Sequence, residues 1–281
     1  MNKHLSFHSY FLIIALLFGL PVSLLAKAKK EVHSKNVAKV TKKKNKTLSD
    51  MDFDELMDAK DKRLAKKDKE GAIRYLEKMI TTSKDKDDLA LVLMELADLF
   101  FDAGKLAKAE KLYAQFYTLY PGNESVEKAH YKAILCSFYL TLESDRDQSK
   151  TQETLTLANS FLDRKEIFKK HTQDVSSIQL KCYEKLCDSD INVTEFYLKR
   201  GKSKDLIAAQ QRLDSLRKEF LDKVPSLEPR VLALEINHAT KIKDFALAEQ
   251  KRTLLAQRFP DYTPTRLAAS DTKHSSFVDR F

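Results

Sequence analysis

The stretch from Leu89 to Pro121, LALVLMELADLFFDAGKLAKAEKLYAQFYTLYP, constrains the fold more than any other part of the chain. Leu93, Leu96, Ala97 and Phe100 recur at helical intervals, Gly104 interrupts them, and Ala109 and Tyr113 resume the same period before Pro121. Apolar residues at i, i+3, i+4 and i+7 mark one face of an α-helix. A glycine just past the last periodic residue ends a helix in the left-handed conformation, and a proline stops the one that follows. The stretch therefore predicts two antiparallel helices. They cross closely where the small residues Ala97 and Ala109 lie, while Phe100 and Tyr113 fill the wedge toward the neighbouring hairpin.

These spacings are those of the tetratricopeptide unit, a helical hairpin of about 34 residues. A weaker copy precedes it from Leu56 to Ile80, with Leu56, Ala59 and Leu64 on one helix and Ala72, Leu76 and Met79 on the next. Terminal repeats are atypical because one side faces water. A third pair is predicted from Ser125–Glu143 and Lys150–Leu162, joined by a polar loop. A fourth combines Asp174–Lys199 with Lys204–Phe220 across Gly201. A fifth runs from Glu228 to Phe259 with Phe245, Ala248 and Pro260 in register. The expected fold is all-α, an α-solenoid of about five tetratricopeptide-like hairpins over residues 51–265. Leu96, Ala97, Phe100, Ala109, Tyr113, Pro121 and Ala248 are its repeat-packing residues. Composition agrees, because only 5 Gly and 6 Pro against 32% charged residues leave too few turn formers for a β-sandwich or a Rossmann-type sheet.

The formal charge of +9 sits almost wholly at the N-terminus: nine lysines and one acid, Glu31, lie between Lys27 and Thr47. With Lys3 counted, residues 48–281 sum to zero, so the body has no basic face for nucleic acid. Phe11 to Leu25 (FLIIALLFGLPVSLL) is apolar or small, too short for the roughly 20 residues that span a bilayer, and Ala26-Lys27-Ala28 offers a cleavage site. Residues 1–28 read as a signal peptide, with an uncleaved anchor as the alternative, which gives an exported, envelope protein. Residues 29–50 read as a basic disordered tail, for spacing or for attraction to anionic surfaces, and 266–281 as a polar C-terminal tail.

Catalytic patterns are not found. His130, His171 and His238 fall in different hairpins, and there is no G-x-S-x-G, P-loop or H-E-x-x-H. Cys182 and Cys187, five apart on one predicted helix, point to different faces and read as buried free thiols unless the helix breaks. The expectation is a binding protein, not an enzyme, with no cofactor and no metal.

Four segments resemble the outer-membrane-protein assembly factor family BamD (YfiO/ComL). They are Leu56, Leu64, Gly71-Ala72-Ile73 and Leu76 in the first hairpin; Tyr113-x2-Phe116 closing on Leu119-Tyr120-Pro121 in the second; Asp145-Arg146-Asp147-Gln148 in the third loop; and Asn192–Gly201 (NVTEFYLKRG), followed by Ala208-Ala209 and Arg212. The chain departs from the family in having no Cys at the signal junction for a lipid anchor, and in about three extra residues between Gly201 and Arg212. The resemblance implies a periplasmic scaffold at the inner face of the outer membrane, peripheral to it. Its implied partners are the POTRA repeats of an Omp85 (BamA-type) barrel subunit, other assembly-complex subunits and unfolded outer-membrane proteins. Arg212 matches the family's arginine at the POTRA contact, and Arg200, Arg146 and Tyr197 lie in the matching segments as further partner-binding candidates. For Phe196 and Tyr197, packing between hairpins is the preferred reading over partner contact, and Arg212 reads equally as a solvated helix arginine. The rival function is a general exported tetratricopeptide adaptor resembling the Tol-Pal coordinator, disfavoured because no heptad run precedes residue 51; a third is an envelope hydrolase.

Overall fold

A computed structural model of the chain describes residues 46–83 and 85–263. The signal segment, residues 29–45 of the basic tail and the C-terminal tail lie outside the described residues. Two compact units divide at Asp58 and Ala59.

In the first unit, Lys46–Asp50, assigned above to the tail, form a turn in which the Thr47 hydroxyl donates to Asp50 Oδ2 at 2.6 Å. Lys46 Nζ donates to both Glu55 carboxylate oxygens at 2.7 and 2.8 Å. Asp52 and Glu55 then form a reciprocal cap: the Glu55 amide donates to Asp52 Oδ1 at 2.9 Å and the Asp52 amide to Glu55 Oε2 at 3.2 Å. Helix α1 (Phe53–Ala65) starts there.

The second unit continues with α2 (Lys69–Thr82), α3 (Lys86–Asp102), α4 (Leu106–Leu119), α5 (Val126–Tyr139), α6 (Ser149–Leu162), α7 (Thr172–Arg200), α8 (Ser203–Glu219), a short 3-10 turn at Pro225–Leu227, α9 (Glu228–Lys241) and α10 (Phe245–Arg258). No strand occurs among the described residues. From α2 onward each helix packs on the next in sequence, and α5 also touches α7, and α7 touches α9. Packing confined to near neighbours makes a solenoid, and the fold is all-α with tetratricopeptide-like hairpins.

The second hairpin has the predicted interior. Leu96, Ala97, Phe100, Ala109 and Tyr113 are buried, as is Ala248 in the last hairpin, whereas Pro121 is exposed beyond the end of α4 and acts as a stop. The buried Tyr113 hydroxyl donates to Asp98 Oδ1 at 2.5 Å, and Lys128 Nζ donates to Asp98 Oδ2 at 3.0 Å, tying α4 and α5 to α3. Burial first, and then the hydrogen bond to Asp98 and its charge, push the Tyr113 phenol above its ordinary range.

Gly104 and Gly201 take φ of 69° and 66°, the left-handed values that end α3 and α7. Lys67 and Lys243 take φ of 59° and 64° in the same role without being glycine, so the sequence gives no sign of those stops. Helix α5 ends at Tyr139, short of the predicted Glu143. Thr141 donates its hydroxyl to Phe138 O at 2.8 Å, and the Gln148 amide donates to Glu143 O at 2.6 Å and Arg146 O at 3.0 Å. These bonds hold residues 140–148 as a loop, because short polar side chains satisfy backbone groups that a further helical turn would have paired.

The 29-residue α7 is continuous through Cys182 and Cys187. Its first half buries Val175, Ile178 and Cys182 against Val126 and Ile134 of α5 and Ala158 and Phe161 of α6; its second half buries Cys187, Ile191 and Leu198 against α8 and α9. At about 100° per residue, the step from Cys182 to Cys187 turns the buried stripe by roughly 140°. One helix thus serves two cores on different faces. All three cysteines are free and buried, and desolvation pushes the thiols of Cys136, Cys182 and Cys187 up to about 12, 11 and 12.

His130 is 4% exposed between Tyr117, stacked on it at 4.3 Å, and the edges of Phe161 and Phe168. Burial, with the Arg164 charge adding to it, lowers its pKa to about 4. An unfolded histidine titrates near 6.5, so the fold holds a neutral imidazole whose stability contribution is complete above that pH. It drains as pH falls from about 6.5 to 4 and no further, a loss of about 3 kcal/mol. His130→Phe should remove this part of the pH dependence, checked by urea midpoints across that window; identical slopes for both proteins would refute it.

Candidate partner-docking surface

The α7–α8 hairpin carries three of the four partner-binding candidates. Arg212, ten positions into α8, reaches back to α7, where its Nη1 donates to Asp190 Oδ1 at 2.6 Å. The arginine side chain is 48% exposed and that of Asp190 only 17%, so the guanidinium is held on one side and open to solvent on the other. Burial pushes the Asp190 carboxyl above its ordinary range, and the charge and hydrogen bond of Arg212 only partly oppose that. Tyr197 lies seven residues beyond Asp190, on the same flank of α7. It is half-buried and packs on the core formed by Cys187, Ile191 and Leu213, which is the packing reading.

Arg200 is separated from Arg212 along the hairpin. Its Nε donates to Asp205 Oδ2 at 3.2 Å and its guanidinium lies 5.4 Å from the Phe196 ring. Phe196 is 54% exposed and forms no part of either core. Arg146 is exposed in the α5–α6 loop and has no ion pair among the described residues. That loop is brought to α7: Asn192 Nδ2 donates to Ser144 Oγ at 3.2 Å and Lys185 Nζ to Thr141 Oγ1 at 2.9 Å. The loop that carries Arg146 is thereby fastened to α7 at Lys185 and Asn192, while Arg212 and Tyr197 share a different flank.

Three supporting residues escape sequence reading. Asp190 and Asp205 anchor the two arginines, and Arg230 of α9 donates to Asp188 at 2.6 Å and approaches Glu195 at 3.5 Å on the opposite flank of α7. Pairs 22 or 42 residues apart have no local signature; only the register of the hairpins makes them neighbours. Among the described residues there is no group of His, Cys, Asp or Glu able to hold a metal ion, and no helix long and apolar enough to cross a membrane.

A family model described as YfiO, outer membrane lipoprotein, matches residues 49–254. No curated protein matches the chain. Among solved structures it is similar to two crystal structures of MamA, at 18% and 15% identity, covering 74% of this chain and 96% and 98% of theirs, both with a TM-score of 0.35. It is also similar to Acl4, the assembly chaperone of RpL4, at 14% identity over 78% of this chain and 80% of that one, with a TM-score of 0.28.

Arg212→Ala leaves a largely buried carboxylate without its partner. The expected destabilisation is about 1 kcal/mol, discounted for the half-exposed arginine. In a double-mutant cycle with Asp190→Asn, measured by chemical denaturation, the double variant should recover most of that loss; additive effects would show that the pair is not coupled.

Proposed function

The chain belongs to the YfiO (BamD) family of outer membrane lipoproteins, and from that premise we propose that it is a non-enzymatic scaffold of outer-membrane β-barrel protein assembly. It works from the periplasm at the inner face of the outer membrane. Its α7–α8 hairpin binds the POTRA repeats of an Omp85-type barrel subunit, and the solenoid contributes to receiving unfolded outer-membrane proteins. The observation that carries this reading is the family match across residues 49–254, which spans the hairpin where Arg212 is held half-open by Asp190.

The physical logic is that of a pre-ordered anchor. An arginine presents a planar fork of donors suited to a carboxylate or a row of carbonyls, and arginines are enriched among residues that dominate interfaces. A guanidinium already oriented by Asp190 loses less rotamer entropy on docking than a free one. Arg146, on a loop fastened to another face of the same helix, offers a second and separate basic contact. Rigid helices keep the spacing between such anchors constant, as recognition of a folded repeat requires.

With a purified POTRA fragment, Arg212→Ala and Arg146→Ala should each weaken binding by about tenfold or more in a biosensor titration. Asp190→Asn breaks the same ion pair while keeping the arginine and should retain most affinity, which separates docking from fold stability. Lys169→Ala, on the exposed α6–α7 loop, should change nothing. Wild-type affinity in both arginine variants would refute the proposed surface.

A further inference from the structure

Two helix turns come together at one end of the last two hairpins. His238 Nε2 lies 3.0 Å from the Leu206 carbonyl, and Lys241 Nζ lies 3.8 Å from where a Cβ on Gly201 would sit. The α7–α8 turn and the α9–α10 turn are therefore side by side. Between them they carry Lys199, Arg200, Lys202, Lys204, Lys241 and Lys243, all exposed, against only Asp205 and Asp244. Both acids are engaged: Asp205 accepts from Arg200 at 3.2 Å, and Asp244 caps α10 by accepting from the Leu247 amide at 3.0 Å.

The five lysines make no salt bridge among the described residues, and the two acids of the turns are taken by Arg200 and by a helix cap. The same end also exposes large apolar side chains: Ile207 at 62%, Ile242 at 45% and Phe245 at 65%. Unpaired lysines around projecting apolar residues are the composition of an interfacial membrane contact, in which long lysine stems reach headgroups while apolar tips enter the acyl boundary. A protein partner fits less well, because protein interfaces are depleted in lysine and favour arginine for carboxylate recognition.

We propose that the paired α7–α8 and α9–α10 turns form a docking surface for an anionic lipid bilayer, with Lys199, Lys202, Lys204, Lys241 and Lys243 over the headgroups and Ile242 and Phe245 at the interface. This surface lies at the end of the hairpins, apart from the Arg212–Asp190 flank, and gives the solenoid a defined orientation at a membrane that charge on the N-terminal lysines alone would not supply.

The chain contains no tryptophan, so Phe245→Trp introduces a single local reporter at an exposed site. On adding vesicles of phosphatidylethanolamine and phosphatidylglycerol to the full chain, its emission should shift to the blue and be quenched by brominated lipid, with no change on phosphatidylcholine alone. A Leu91→Trp reporter, 65% exposed on α3, should stay unshifted. Adding Lys202→Glu, Lys204→Glu and Lys243→Glu should raise the lipid concentration for half-shift by about a hundredfold, since each lysine near an anionic surface contributes roughly a fivefold factor and the three multiply. Co-sedimentation with vesicles while the Phe245→Trp reporter stays water-exposed would overturn the proposal, assigning lipid binding to the N-terminal lysines. An equal shift of both reporters would overturn it too, as would a shift with polyglutamate but not with vesicles, which would assign the surface to an acidic protein.

Discussion

Everything in the C-terminal half of the solenoid depends on α7 burying different faces in its two halves. Val175, Ile178 and Cys182 look back to α5 and α6; Cys187, Ile191 and Leu198 look forward to α8 and α9. A helix of 29 residues is about 44 Å long, and one with apolar contacts at both ends on different faces cannot slide or roll without opening a core. The third and fourth hairpins are consequently joined by a rigid rod instead of a hinge. Residues on its remaining faces, Asp190 on one flank and Asp188 with Glu195 on the other, inherit that rigidity and transmit it to Arg212 and Arg230.

Ion pairs take over as the apolar core thins toward the C-terminus. Helix α10 buries only Ala248 fully, yet Glu228 accepts from Arg258, and Glu235 accepts from Arg217 and pairs with Lys251 at 3.0 Å. Burial alone would push the Glu235 carboxyl up, but hydrogen bonds from Arg217 and Lys251 overcome it and hold the carboxyl below its ordinary range. In these pairs the carboxylates are largely buried and the cations partly exposed; they set register, and here they fix α8 and α10 against α9.

The second hairpin was legible in the sequence because its determinants are local: small residues at 97 and 109, rings at 100 and 113 and a glycine at 104 each act through helical spacing. The glycine at 201 placed the α7–α8 turn for the same reason. The end of α5 was not legible, since Thr141 and Gln148 stop it through side-chain bonds whose geometry no periodicity encodes. Lys67 and Lys243 hide two stops because a lysine in a left-handed conformation is indistinguishable in sequence from one in a helix. Of the candidate site, Arg212 and Arg146 could be picked out through the family resemblance. Their anchors, Asp190 and the Ser144–Asn192 contact, arise only from tertiary register. Tyr197 shows the converse, a residue in a matching motif that the core absorbs.

Photo-crosslinking in intact cells from a reactive amino acid substituted at Arg212, with Lys169 as the exposed control and mass spectrometry of the adducts, tests the scaffold role most directly. A specific adduct between position 212 and a POTRA-bearing barrel protein, missing from position 169, is the predicted result. Adducts only with peptidoglycan-associated or Tol-type proteins, or the same adducts from both positions, would contradict the role and leave a general adaptor of the envelope.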